Sequence, residues 1–226
     1  MTLTRLVDDL QSPLVRSARL TVFSEDGALP FHPDGCWDFV FFRRDVKTLT
    51  LRTGLTTTTV QHAYRAGDEM LSITFAPHAF MDLMPAEIMV NEGKALEGAS
   101  PDRFCLGTDI IEIPTLETVD DFVRSLTARG LIEGNDLVAG LIQGQPRAAT
   151  ERTQQRHFLR TTGLTYKHFT MVERARKAAA LLAMGQPAGD VAFALGYADQ
   201  AHLIRSVKLV MGRTPGQIAQ SGIPGI

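Results

Sequence analysis

The chain has 226 residues, 44% hydrophobic and 21% charged, with mean hydropathy near zero, which excludes fibrous, collagenous and disordered classes and leaves one large or two small globular domains. Two cysteines, Cys36 and Cys105, are too few for a disulfide framework or a four-thiolate metal site, and with Asp8 and Asp9 where a signal peptide would be apolar, the chain is read as cytoplasmic, without a membrane partner. The formal net charge of −2 hides a split: 12 Lys and Arg stand against 21 Asp and Glu in residues 1–144, and 11 against 4 in residues 145–226, or −9 and +7.

Such an asymmetry is expected when one part of a protein touches nucleic acid. From Arg19 to about Phe75 the pattern is that of strands. ARLTVF, CWDFVFF after the turn HPDG, KTLTLRT, TTTTVQHAY and EMLSITF are short runs rich in Val, Thr, Phe and Leu. Five or so such strands predict a small antiparallel sandwich or barrel. Pro77 is placed in the first turn of a short helix, AFMDLM, that covers one end, and NEGKALEGASPDR is read as loop.

After about Glu117 the period becomes helical. Thr118 is the expected cap of VDDFVRSLTAR, whose Val119, Phe122, Val123 and Leu126 share one face, and DLVAGLIQ follows, ending at Gly144. The domain boundary is therefore set at 118, giving a β-rich domain over 1–118 and a helical one over 119–226.

The basic half repeats itself at a shift of 49 residues: Thr150, Arg156, Phe158, Gly163 and Thr165 fall on Asp199, Arg205, Val207, Gly212 and Thr214. Each copy has a capping residue, an Arg six positions on, an apolar residue two later and a terminating Gly. Between the copies MVERARKAAALLAMG predicts a connecting helix, with Glu173 and Lys177 paired at i,i+4 and Gly185 as its stop. DVAFALGYADQAHLIRSVKLVMG then reads as helix, turn and second helix, the pattern that presents its second helix to the major groove.

In ERTQQRHFLRTTGLTYKHF, RARKAAALLAMG and GDVAFALGYADQAHLIRSVKLVMGRTPGQI, in this order and spacing, residues from about 135 to 220 resemble the DNA-binding domain of the AraC/XylS transcriptional regulators. The acidic half, through HPDGCWDFVFF, resembles the sensor domain of one branch of that family. The implied fold is α+β: a small cupin-like β-barrel or sandwich, then an all-α domain of two helix-turn-helix units joined by a long helix. The implied partner is double-stranded DNA, read by a regulator that performs no catalysis.

On the first recognition helix Arg152, Gln155 and Arg156 form one stripe at i, i+3 and i+4, and on the second the matching residues are Gln200, Ala201 and Arg205. Arg suits guanine O6 and N7, Gln suits adenine, and Ala can meet a thymine methyl. Arg160, Lys167, Lys208 and Arg213, near helix ends, are the expected phosphate contacts. Helices entering successive major-groove segments, about 34 Å apart, would cover two unlike half-elements.

For the acidic half the family analogy implies a small-molecule effector, dimerisation, or both, with Trp37, Phe39, Phe41, Phe75 and Phe80 lining an interior; on sequence alone the stronger reading of these aromatics is that they fill the core. His32, His62 and His78 lack a paired H-x-H spacing, so neither metal nor other cofactor is expected. Two other readings stay open: a cupin-like metalloenzyme fused to a DNA-binding module, and a thiol-based DNA-repair regulator using Cys36.

Overall fold

The computed structural model of the chain describes residues 2–145 and 149–222. In chain order the strands are β1 (Leu3–Val7), β2 (Val15–Val22), β3 (Gly27–Phe31), β4 (Trp37–Arg44), β5 (Lys47–Thr53), β6 (Val60–Tyr64), β7 (Glu69–Phe75), β8 (Ala79–Phe80), β9 (Gly93–Leu96), β10 (Gly98–Ser100), β11 (Arg103–Leu106) and β12 (Asp109–Glu112). Helix α1 (Val119–Ala128) and the short β13 (Glu133–Gly134) follow. The rest is helical: α2 (Asp136–Ile142), α3 (Glu151–Thr162), α4 (Tyr166–Ala183), α5 (Ala188–Ala194), α6 (Gln200–Met211) and α7 (Pro215–Ser221).

Packing divides the chain into two compact units. One comprises Met1–Gly27, Cys36–Leu55 and Tyr64–Thr165, the other Ala28–Gly35, Thr56–Ala63 and Tyr166–Ile226. The change of period near residue 118 falls inside the first unit, and α2 and α3 belong to it.

The first unit is built on an antiparallel sheet in the order β1-β2-β7-β4-β5-β9. The central strand β4 is apolar almost throughout because it is covered on both faces, so Trp37, Phe39, Val40, Phe41 and Phe42 are all buried. A three-stranded sheet, β10-β11-β12, contributes Phe104, and α1 contributes Phe122. Both rings lie within 5.9 Å of those of Phe39 and Phe41.

Three local expectations are corrected here. Residues 79–80 form a strand instead of starting a helix, because β8 finds a partner in β13, with Phe80 opposite Glu133 and Ala79 opposite Gly134; tertiary pairing overrides the local pattern. The stretch read as loop contains β9 and β10, an edge strand and an exposed strand whose polar faces carry no apolar alternation. Thr118 makes no side-chain cap on α1; it ends a 3-10 turn in which Thr115 and Thr118 bond reciprocally.

The second unit packs α4 to α7 around Val172, Ala175, Ala179, Leu182, Val191, Leu203, Val207 and Ile218. The alanines of α4 let helices approach closely, and Gly185, at φ 83°, ends the turn after it. Glu173 pairs with Arg176 at 2.9 Å, not with Lys177, which lies exposed; the fork of Arg engages both carboxylate oxygens, which an ammonium cannot match. The segments Ala28–Gly35 and Thr56–Ala63 join this unit as a two-stranded ribbon of β3 and β6. Of TTTTVQHAY only Val60–Tyr64 is strand, and it leaves the main sheet; the four threonines before it form a bend instead of continuing the strand. Among the described residues no helix is long and apolar enough to cross a membrane.

Candidate nucleic-acid interface

Helix α3 starts where the Thr150 hydroxyl accepts from the Thr153 N–H at 3.3 Å and stops at Gly163, φ 75°. A Cβ at Gly163 would lie 2.4 Å from the Ala86 carbonyl oxygen, so this position needs glycine for space as well as for backbone angle. The helix buries Phe158, Thr161 and Thr162 and leaves Arg152, Gln155 and Arg156 exposed along one stripe. Neither arginine forms an ion pair among the described residues. Gln155 donates to Glu151 at 3.0 Å.

One asparagine ties α3 to α2. Asn135 caps α2 by accepting from Val138 N–H at 3.3 Å, while its amide nitrogen lies 2.9 Å from the Thr161 hydroxyl and 3.2 Å from His157 Nδ1. The helix also packs on the 3-10 turn Ala86–Ile88 and on β8. Arg160, an expected phosphate contact, bonds both carboxylate oxygens of Asp82 at 3.0 Å.

Helix α6 repeats the local design. Asp199 accepts from His202 N–H at 2.6 Å, and Gly212 ends the helix at φ 68°. Leu203, Ser206, Val207, Val210 and Met211 are buried, whereas Gln200, Ala201, Arg205 and Lys208 are exposed. The preceding turn is fixed by Arg174, whose guanidinium lies 4.5 Å over Tyr197 and donates to the Gly196 carbonyl. At the other end the ribbon closes the helix: Thr59 donates its N–H and its hydroxyl to the Val210 carbonyl at 2.9 and 3.1 Å. That carbonyl is one of the last four of the helix, which have no intrahelical donor.

Of the remaining expected phosphate contacts, Lys167 is exposed on the first turn of α4, and Arg213 donates to the carbonyls of Gly222 and Gln217, closing the C-terminus of α7. The histidines do not converge. His32 and His62 lie in the ribbon segments and His78 in the first unit, and among the described residues no group of three His, Cys, Asp or Glu could hold a metal.

Inside the first unit, Trp37 stacks on Phe75 at 4.1 Å, and Phe39 meets Phe75 at 5.9 Å and Phe41 at 6.2 Å. Phe80, half-buried on β8, stands apart from this cluster. The sequence reading missed a charge among these rings. Arg52 is 2% exposed, with its guanidinium 4.6 Å over Trp37, and Nε and Nη1 are buried without a hydrogen-bond acceptor among the described residues. Burial pushes its pKa down to about 10. The clue was in KTLTLRT, where the leucines alternate outward and Thr50 and Arg52 inward.

Residues 148–221 match the family model described as a helix-turn-helix domain. A comparison with curated proteins finds no match. Among solved structures the chain is similar to ToxT from Vibrio cholerae O395, at 9% identity over 100% of this chain and 99% of that one, with a TM-score of 0.43. It is also similar to unsaturated fatty acid-bound ToxT from Vibrio cholerae strain SCE256, at 9% identity over 99% and 96%, with a TM-score of 0.34. The domain match spans the two capped helices and their exposed stripes: the C-terminal third of this chain matches a helix-turn-helix domain.

Proposed function

We propose that the protein is a cytoplasmic, sequence-specific transcriptional regulator that reads duplex DNA with α3 and α6 and carries out no reaction of its own. The observation that carries this is the pair of capped helices with an arginine at the same register, Arg156 and Arg205, both exposed. Arg152, Gln155, Arg156, Gln200, Ala201 and Arg205 are the base-reading residues, since Arg and Gln can each bond a base edge bidentately and Ala fits a thymine methyl. Lys167 and Lys208 position the protein on phosphates; Arg160 and Arg213 join them by exchanging their internal partners for DNA.

The strand-rich part, residues 1–118, serves as sensor and self-association domain for a small-molecule effector, with the aromatic interior as its receiving element. Its outer strand β1 presents exposed Leu3 and Leu6 on an unpaired edge, which supports dimerisation there. The test is titration of the full-length protein with a random duplex at increasing salt. Affinity should fall with a log-log slope of about −0.9 for each phosphate neutralised; salt-independent binding, or none, contradicts the proposal.

A further inference from the structure

We infer that Ile204 is a sequence-reading residue of α6, and that the DNA element taken by this helix is chosen by the 5-methyl groups of neighbouring thymines, met by Ala201 and Ile204 beside the guanine that Arg205 reads. The inference rests on reading α6 as a recognition helix and adds the chemistry of its half of the site.

The shift of 49 residues that lays one capped helix on the other carries Arg152, Gln155 and Arg156 onto Ala201, Ile204 and Arg205. Gln200 falls on Glu151, the residue that Gln155 bonds, and so is not the counterpart of Gln155. Ile204 stands where α3 has a hydrogen-bonding amide, on the same i, i+3, i+4 stripe. It is not spent on the core. The buried face of α6 is made by Leu203, Val207, Val210 and Met211, whereas Ile204 is 37% exposed. Leu209, the other exposed large apolar residue of this helix, lies near its C-terminus. A recognition helix reaches base edges with its N-terminal residues, which places Ile204 in reach and Leu209 beyond it.

The side chain specifies what it reads. An isoleucine has no donor or acceptor, so against guanine or cytosine it strips water from a polar base edge and returns no hydrogen bond. Thymine alone presents an apolar group in the major groove, its 5-methyl, and an aliphatic side chain laid on it removes apolar surface of both from water. Ala201 offers a second, smaller contact of the same kind. The two residues are about 4.5 Å apart along a helix that rises about 1.5 Å per residue, against about 3.4 Å between stacked bases, so they fall over neighbouring base pairs. The helices therefore differ in chemistry: α3 offers hydrogen bonds at all three stripe positions, and α6 offers two methyl contacts and one arginine fork.

The test removes the methyl groups and nothing else. Full-length protein selects sites from a random duplex pool, and the α6 element is the one whose sequence preference Arg205→Ala erases. Each thymine of the selected site is then replaced in turn by uracil, which lacks the 5-methyl and keeps every hydrogen-bonding edge. In the α6 element at least one uracil should weaken binding about 4-fold, the loss expected for one methyl-sized group no longer taken from water. At that position I204A should bind thymine and uracil alike, a coupling that a merely structural role does not produce. Uracil in the other element should show no coupling to Ile204. An α6 element without thymine, one indifferent to uracil, or the same uracil loss in I204A as in the parent overturns the inference. The uracil series on the parent protein stands even where I204A fails to fold. A pool that enriches no sequence, or a site that Arg205→Ala leaves unaltered, removes the reading of α6 as a recognition helix and this inference with it, whereas an enriched two-element site indifferent to uracil removes this inference alone.

Discussion

Helices α3 and α6 are nearly the same object locally, each twelve residues long, capped by a side-chain oxygen, closed by a left-handed glycine and bearing an arginine at the same register. They differ in what buries them. Helix α3 lies in the strand-rich unit, held through Asn135 and packed on the turn at Ala86–Ile88, whereas α6 lies in the helical unit, among α4, α5 and α7, with the ribbon closing its end. The lesson is that a repeat specifies a helix and its exposed stripe, while its apolar face selects the body that the helix belongs to. Helix α3 thereby packs within the same unit as the main antiparallel sheet.

The largest expected effects come from removing those apolar faces. Phe158→Ala should cost about 3–5 kcal/mol and Leu203→Ala about 2–5 kcal/mol, the usual toll for a large buried side chain in a close-packed core. Hydrogen exchange should show the first loosening residues 151–162 and the second residues 200–211. If either substitution loosened both helices alike, the two would share one body, contrary to the division described here.

Next in size is base reading. Arg156→Ala or Arg205→Ala should cost about 1–3 kcal/mol on the preferred operator and little on random duplex, because only the operator offers the matching base edge. Lys208→Ala should weaken both alike, as loss of a phosphate contact does. Equal losses on both DNAs for Arg156→Ala, seen in parallel anisotropy titrations, would remove α3 from sequence reading.

A smaller effect distinguishes the ends of the helices. Thr59→Val keeps the N–H bond to Val210 and deletes the hydroxyl bond, so it should destabilise the end of α6 by about 0.5–1.5 kcal/mol and leave exchange in α3 unchanged. Asp82→Ala removes an ion pair whose two side chains are each 66% exposed, for which a stability change below about 1 kcal/mol is expected. It also frees Arg160, so DNA affinity should rise modestly; unchanged affinity would show that Arg160 does not reach phosphate.

Much of this was legible because it is local. Caps at Thr150 and Asp199, stops at Gly163 and Gly212, and the exposed stripes all follow from residue type and spacing over a dozen positions. What stayed hidden depends on partners far along the chain. β8 is a strand only because β13 pairs with it from more than 50 residues away. Thr59 looked like one of four threonines in a strand, and its role exists only because Val210 ends a helix beside it. Asn135 was readable as a cap for α2, but its second function requires Thr161. Arg52 was hidden by the opposite error: a charged residue in an alternating strand is ordinarily assigned to the solvent face, and here the leucines took that side.

The most direct test of the central claim, that two helices of different units read one DNA site, is selection of bound sequences from a random duplex pool by full-length protein, repeated with Arg156→Ala and Arg205→Ala. The account predicts an enriched site of two unlike elements, with each substitution erasing the sequence preference of a different element. Enrichment of no sequence, or a site that neither substitution alters, would contradict it.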